Sequence, residues 1–240
     1  MRLGSGVVVG SYRLERLLGE GGMGTVWAAS HRANGNAVAL KLLRESDATN
    51  PVRRKRLLRE ARAASAVTHP NVVRVHEVFE DDEGTPVIAM ELLSGQTLAQ
   101  LLAQEGALSL GVTATLIAPV VSAVGTAHAA RITHRDLKPD NIFLVGESAR
   151  AVPIVLDFGI ARLHGTGPDA LASAALTTTG AVMGTPHYMA PEQIFGEHDV
   201  DHRADVWALG VILYECLAGR RPLPGANIGQ VLKVILSGKV

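Results

Sequence analysis

The sequence predicts an α+β chain: a small antiparallel β part carrying one helix, then a larger, mainly helical part. Three observations point that way. Up to about residue 90, short apolar runs of strand character are separated by glycine and Asn-Gly turn signals. A single basic helical stretch, 52–67, interrupts them. Beyond residue 97 the apolar spacing changes to the helical period.

The first strand, 12–19, ends in a glycine cluster, and extended structure resumes over 25–29. Asn34-Gly35 supplies the positive-φ residues of a hairpin turn, so 38–43 is the third strand. Asn50-Pro51 opens the helix 52–67 with an N-cap residue and a first-turn proline, and His69-Pro70-Asn71 breaks it. Strands at 72–79 and 86–92 flank the polar turn 80–84, and Leu93-Ser94-Gly95 reads as a short linker between two lobes. Helices follow at 97–104, 109–130, 203–217 and 227–236.

At about 150 residues per domain, 240 residues allow one large or two small domains. With 19% charged and 47% hydrophobic residues, the chain is folded, not a disordered tail. Lys+Arg and Asp+Glu balance at 23 each, which disfavours a basic nucleic-acid binder. The basic helix carrying Arg53, Arg54, Lys55, Arg56, Arg59 and Arg62 has no interleaved aromatics for base stacking, so it reads as a solvated face or a dock for a phosphorylated loop. The one cysteine, Cys216, forms no internal disulfide and reads as inert packing in the apolar run 211–217. The N-terminus lacks the apolar core of a signal peptide. The stretch 106–130 has no Asp, Glu, Lys or Arg and mimics a membrane span. Gly111, Pro119, Gly125 and His128 weaken its transfer energy, so it reads as a soluble core helix, apolar all round and buried; no membrane segment is expected.

The loop from Gly19 to Gly24 spells G-x-G-x-x-G. A dinucleotide-dependent oxidoreductase uses the same letters, with an acid about 20 residues on, and Glu45 sits 21 residues after Gly24. That fold needs a helix after Gly24, whereas the residues here are β-rich and lead into Asn34-Gly35. A strand–glycine loop–strand flap, able to lay backbone N–H groups over phosphates, fits better.

Further motifs follow in a fixed order. Lys41 ends Val38-Ala39-Leu40-Lys41, and Glu60 comes 19 residues later on the basic helix. His134-Arg135-Asp136-Leu137-Lys138-Pro139-Asp140-Asn141 is a dense polar loop. Asp157-Phe158-Gly159 follows the short apolar strand Ile154-Val155-Leu156, and Ala190-Pro191-Glu192 closes a long segment of small residues. On these residues the sequence resembles the protein-kinase family over about 12–236. Gly-Glu-Gly-Gly-Met-Gly and Gly-Thr-Pro-His-Tyr-Met-Ala-Pro-Glu-Gln make it most similar to bacterial Ser/Thr kinases of eukaryotic type.

The resemblance implies a bilobal protein-kinase-like fold, with an N-lobe at 12–93 and a C-lobe from 94, acting on ATP with Mg²⁺. ATP would lie under Leu18, Gly19, Glu20, Gly21, Gly22, Met23, Gly24, Thr25 and Val26. Lys41 would contact the α/β-phosphates and be held by Glu60. Val26 and Ala39 would cover the adenine, with Phe143 beneath, Met90 at the back, and backbone groups of Glu91 and Leu93 at its edge. Asp157 and Asn141 would hold the metal, whose hardness suits oxygen donors. Asp136 would be the catalytic base and Lys138 would steady the γ-phosphate. His134 has no evident acid–base task and reads as a packed residue supporting Phe158.

Lys138 together with Gly184-Thr185-Pro186 is similar to the Ser/Thr branch, with Thr185 lining the acceptor pocket. The segment between Asp157 and Glu192 is the expected activation segment; Thr177 and Thr179 are its expected autophosphorylation sites, and Arg135 the residue to pair with their phosphates. Partners are then protein substrates with Ser/Thr acceptors, with self-association for autophosphorylation, and no nucleic acid. The location is cytoplasmic, with a membrane anchor in a following region as a family option. The family continues past the last helix seen here and pairs Glu192 with a later arginine. No residue here takes that place, so the chain is expected to be a fragment whose buried Glu192 lacks its partner at a cost of about 3–5 kcal/mol. The rival of a different class is a pseudokinase scaffold; the full set Lys41, Asp136, Asn141 and Asp157 argues against it.

Overall fold

The computed structural model describes residues 3–21, 24–43, 51–146, 151–158, 186–197, 199–223, 225 and 228–236. The chain divides into two compact units: Met1–Thr68 with Val73–Ser94, and His69–Val72 with Gly95–Val240.

The first unit is a six-stranded antiparallel sheet. Its strands are β1 (Val8–Val9), β2 (Tyr12–Gly21), β3 (Gly24–His31), β4 (Ala37–Leu43), β5 (Val75–Glu80) and β6 (Pro86–Glu91). They are ordered β1-β2-β3-β4-β6-β5. The pleat sorts side chains by alternation. Tyr12, Leu14, Trp27, Ala29, Val38, Leu40, Leu42, Val87 and Ala89 form a buried cluster. Helix α1 (Pro51–Ser65) packs against β5 and β6, and Arg54 Nε meets Glu80 Oε1 at 2.8 Å. The hairpin after β3 turns at Gly35, with φ 73°, as the Asn-Gly pair predicts.

Gly24 opens β3, so a strand stands where the dinucleotide reading requires a helix. It has φ 134°, and a Cβ there would lie 1.9 Å from the carbonyl oxygen of Leu42. A Cβ on Gly19 would meet nothing within 4 Å. Gly24→Ala is therefore expected to destabilise the first unit by about 2–3 kcal/mol, and Gly19→Ala by less than about 0.5 kcal/mol. Paired thermal melts check this contrast.

The second unit has a three-stranded antiparallel sheet of β7 (Gly95–Thr97), β8 (Ile142–Val145) and β9 (Val152–Val155). Its helices are α2 (Leu98–Glu105), α3 (Leu110–Ala129), α4 (Pro191–Ile194), α5 (Arg203–Ala218) and α6 (Ile228–Leu236). Thr97 and Gln100 form a capping box at the start of α2, and Ser109 accepts from the Val112 N–H at the start of α3. Gly95, read from sequence as a linker residue, instead opens β7.

Helix α3 corrects a second expectation. It is long and apolar enough to span a membrane, by length and composition alone. It is not buried all round: one stripe, Thr113, Leu116, Ile117, Val120, Ala123, Val124 and Ala127, is buried, while Leu110 is 72% and Val121 48% exposed. Those positions recur at i, i+3, i+4 and i+7, so the helix is one-sided in packing even though no Asp, Glu, Lys or Arg marks its exposed face.

Candidate functional site

In the first unit the strand register groups one set of the expected residues. Val26 lies directly opposite Lys41, Lys41 opposite Ile88, and Ala39 opposite Met90. Opposed residues of antiparallel strands share a face, and residues two apart do too. Val26, Ala39, Lys41 and Met90 therefore sit together on the face away from the buried cluster of Leu40 and Leu42. Lys41 is only 5% exposed, unusual for an ammonium on a strand. Glu60 lies half-buried on α1. The Glu91 N–H donates to the Arg74 carbonyl at 2.9 Å, and Glu91 Oε1 accepts from the Arg74 N–H at 2.8 Å. Leu18, Glu20 and Gly21 are exposed on β2 and Thr25 half-buried on β3; Gly22 and Met23 lie outside the described residues.

In the second unit the polar loop 134–141 gathers three of the expected residues. Lys138 Nζ donates to Asp136 Oδ2 at 2.8 Å. Asn141 Nδ2 donates to the Asp136 backbone carbonyl at 2.7 Å. That bond fixes the amide's orientation and leaves Oδ1 as the face able to receive a cation. A short 3₁₀ turn, Pro139–Asn141, leads into β8, where Phe143 is half-buried opposite Ile154. The Leu156 N–H donates to the Asn141 carbonyl at 2.9 Å, tying the loop to the segment that carries Asp157. Asp157 has φ 60°, a left-handed conformation uncommon for a non-glycine residue. His134 is fully buried, accepts the Asp136 N–H at Nδ1 (3.4 Å), donates from Nε2 to the Leu156 carbonyl (2.8 Å), and has its ring centroid 5.0 Å from that of Phe158. This is the packing role expected for it.

Asp205 is the residue that the sequence reading missed. It is 1% exposed on α5. Its Oδ1 accepts the Arg135 N–H at 2.8 Å, and its Oδ2 accepts the His134 N–H at 2.8 Å and His128 Nε2 at 2.7 Å. Arg135 is held at φ 67°. A carboxylate on α5 thus pins the two residues before Asp136, and holds Arg135 in a conformation that the backbone alone resists. An acid inside an apolar helix is the signal that was available, since a buried charge requires donors.

Arg135 Nη2 donates to the Val200 carbonyl at 2.8 Å, and Gln193 Nε2 donates to the Arg135 carbonyl at 2.7 Å. Glu192 is half-buried, so the expectation of a buried carboxylate is not met. Burial, with the charge of Glu215, pushes the Cys216 thiol up to about 11, in keeping with inert packing. Thr177, Thr179, Gly184 and Thr185 lie outside the described residues, as does Gly159.

The residues fit a magnesium nucleotide on three counts. Open space stands over Gly19. A buried cation at Lys41 lies on the face shared with Val26 and Ala39. Oxygen donors at Asn141 and Asp157 suit a hard divalent ion.

A sheet unit with a glycine flap, followed by a helical unit with an acid–lysine–asparagine loop, defines a kinase-type catalytic fold. A profile of the protein kinase domain matches residues 12–238, and the chain belongs to the protein kinase family. It is 43% identical over 214 residues to the serine/threonine-protein kinase pkn3 of Myxococcus xanthus, covering 88% of this chain and 38% of that protein. It is 41% identical over 223 residues to the serine/threonine-protein kinase PknE of Mycobacterium tuberculosis, covering 93% of this chain and 37% of that protein. Among solved structures, the kinase domain of Mycobacterium tuberculosis PknI superposes with a TM-score of 0.71 at 31% identity, covering 93% of this chain and 81% of that one. The chain spans less than two-fifths of the length of these two curated relatives.

Proposed function

We propose that the chain transfers the γ-phosphate of ATP to Ser and Thr hydroxyls of proteins; the relatives pkn3 and PknE are named serine/threonine-protein kinases. The carrying observation is the Asp136–Lys138–Asn141 cluster, in which a carboxylate, a cation and an amide converge within hydrogen-bond reach. We take 12–236 as the catalytic domain, with 12–93 as the N-lobe and 94–240 as the C-lobe.

In this reading Lys41 neutralises the α/β-phosphates, with Glu60 as its partner. The flap from Leu18 to Val26 covers the phosphates with backbone N–H groups. Val26, Ala39, Met90 and Phe143 enclose the adenine. The Leu93 N–H and the carbonyl of Glu91 serve its edge, since the Glu91 N–H is committed to Arg74. Asp157 and Asn141 hold Mg²⁺, which neutralises charge on the phosphates. Asp136 accepts the proton of the acceptor hydroxyl, and Lys138 balances charge on the transferred group. Positioning and charge neutralisation are what such a transfer asks of a protein. We place the reaction in the cytoplasm.

Incubation with γ-labelled ATP, Mg²⁺ and a generic protein acceptor tests this reading. Label is expected on serine and threonine and not on tyrosine. ADP formation without labelled acceptor would contradict it. Activation through self-association is expected to place phosphate on Thr177 and Thr179, the paired threonines of the activation segment. Mass spectrometry after incubation with Mg-ATP reads this directly; a fully active chain bare at 177–179 would reject the switch.

A further inference from the structure

Two arginines follow the C-terminal end of α5, and they are held differently. Arg221 is anchored against the 3₁₀ turn Pro186–Tyr188. Its Nε donates to Glu215 Oε1 at 3.3 Å, and its Nη1 donates to His187 Nδ1 at 3.3 Å. Its guanidinium carbon stands 5.7 Å from the centroid of the Tyr188 ring. Three neighbours fix one planar group, so much of the side-chain entropy that a long cation loses on binding is lost already. Arg220 instead lies over the exposed ring of Tyr214, at 5.8 Å.

The Arg221–Glu215 pair turns its positive end to solvent. The Glu215 side chain is 13% exposed and that of Arg221 41%. Glu215 Oε2 accepts the Tyr188 hydroxyl at 2.5 Å, so each oxygen of this carboxylate already has a donor. A cation arriving from solvent meets a covered acid. An anion meets a guanidinium whose two bonds engage two of its five N–H groups, with donors left to receive a carboxylate.

The same turn borders the expected catalytic base. Tyr188 is buried, and with Met189 and Gln193 it lines a small cavity that Asp136 and Leu137 also line. One tyrosine therefore has Asp136 on one side and Arg221 on another. An extended peptide advances about 3.3 Å per residue, so a segment whose hydroxyl lies at Asp136 brings a side chain to Arg221 about two or three residues away.

We propose that Arg221 reads an acidic side chain of the acceptor protein, about two or three residues from the hydroxyl that takes the phosphate. The substrate class is then Ser or Thr within an acidic stretch. This deepens the kinase reading above and rests on it. Arg221 binds the acceptor and takes no part in the transfer, so its effect falls on KM and not on kcat.

The test uses peptides with a single acceptor serine, neutral flanks and one Asp moved over about four positions to either side. The parent chain is compared with Arg221→Gln and Arg220→Gln. Each reading is the ratio of kcat/KM for an Asp peptide to that for the neutral peptide in the same protein, so differences in folded fraction cancel. The parent is expected to favour Asp by at least about threefold at one position or two adjacent ones. Arg221→Gln should bring that ratio to about one, and Arg220→Gln should keep the parent's profile. A flat profile in the parent, or the parent's profile in Arg221→Gln, would overturn the proposal. If Arg221→Gln does not fold, Arg221→Lys takes its place: it keeps the charge without the planar fork and should lose at least about half of the preference, while an undiminished preference would count against Arg221. Transfer to every peptide without preference removes this inference and leaves the kinase reading standing; transfer to none removes both.

Discussion

Asp136→Asn is expected to slow phosphoryl transfer about 10²–10⁴-fold while leaving fold and Mg-ATP affinity close to those of the parent. The substitution is nearly isosteric. The bond from Asn141 Nδ2 runs to the backbone carbonyl of residue 136, which the change does not touch. What disappears is the carboxylate that accepts the hydroxyl proton and receives Lys138 at 2.8 Å. Steady-state transfer rates beside a nucleotide titration of both proteins separate the two effects. A loss confined to kcat supports Asp136 as the base, whereas an unchanged rate would remove it from the chemistry.

Asp205→Ala carries the second large effect, and it reaches stability as well as rate. Truncation strips the His134 and Arg135 N–H groups of their acceptor and takes a partner from His128. Unsatisfied buried donors cost about 1–3 kcal/mol each, and the left-handed Arg135 loses the bond that stabilises it. A destabilisation of about 3–5 kcal/mol follows, or on the order of 10 °C in Tm for a chain of this size. Because the pinned residues precede Asp136, turnover should fall further than the unfolded fraction explains. Asp205→Asn retains one acceptor oxygen and should recover part of both losses. Melting curves and turnover measured well below Tm give the two readouts, and an Asp205→Ala chain with parental turnover would dissociate α5 from the catalytic loop.

The sheet of the first unit was largely legible because each strand is bounded by a local signal: a glycine cluster before Thr25, Asn34-Gly35 before β4, and an acidic turn before β6. Strands β1 and β7, of two and three residues, are too short to carry a period, so only pairing to their neighbours defines them. The one-sided packing of α3 was hidden for a different reason. Ala, Gly, Ser and Thr alternate there with Val and Leu, so hydropathy marks no face and tertiary contact alone picks the stripe Leu116–Val120–Val124.

The same contrast runs through the candidate site. Lys138 and Asn141 stand within five residues of Asp136, so their convergence was readable from spacing. Asp205 was not, because its partners are backbone groups 70 and 71 residues away, and a backbone N–H has no sequence signature.

Nucleotide uptake is the claim beneath all the others, and titration calorimetry with Mg-ATP measures it without an acceptor or a turnover. The prediction is saturable one-site binding that requires the divalent ion and is weakened by Lys41→Ala and by Asp157→Ala. Absence of heat from the folded parent chain at saturating Mg²⁺ would contradict it.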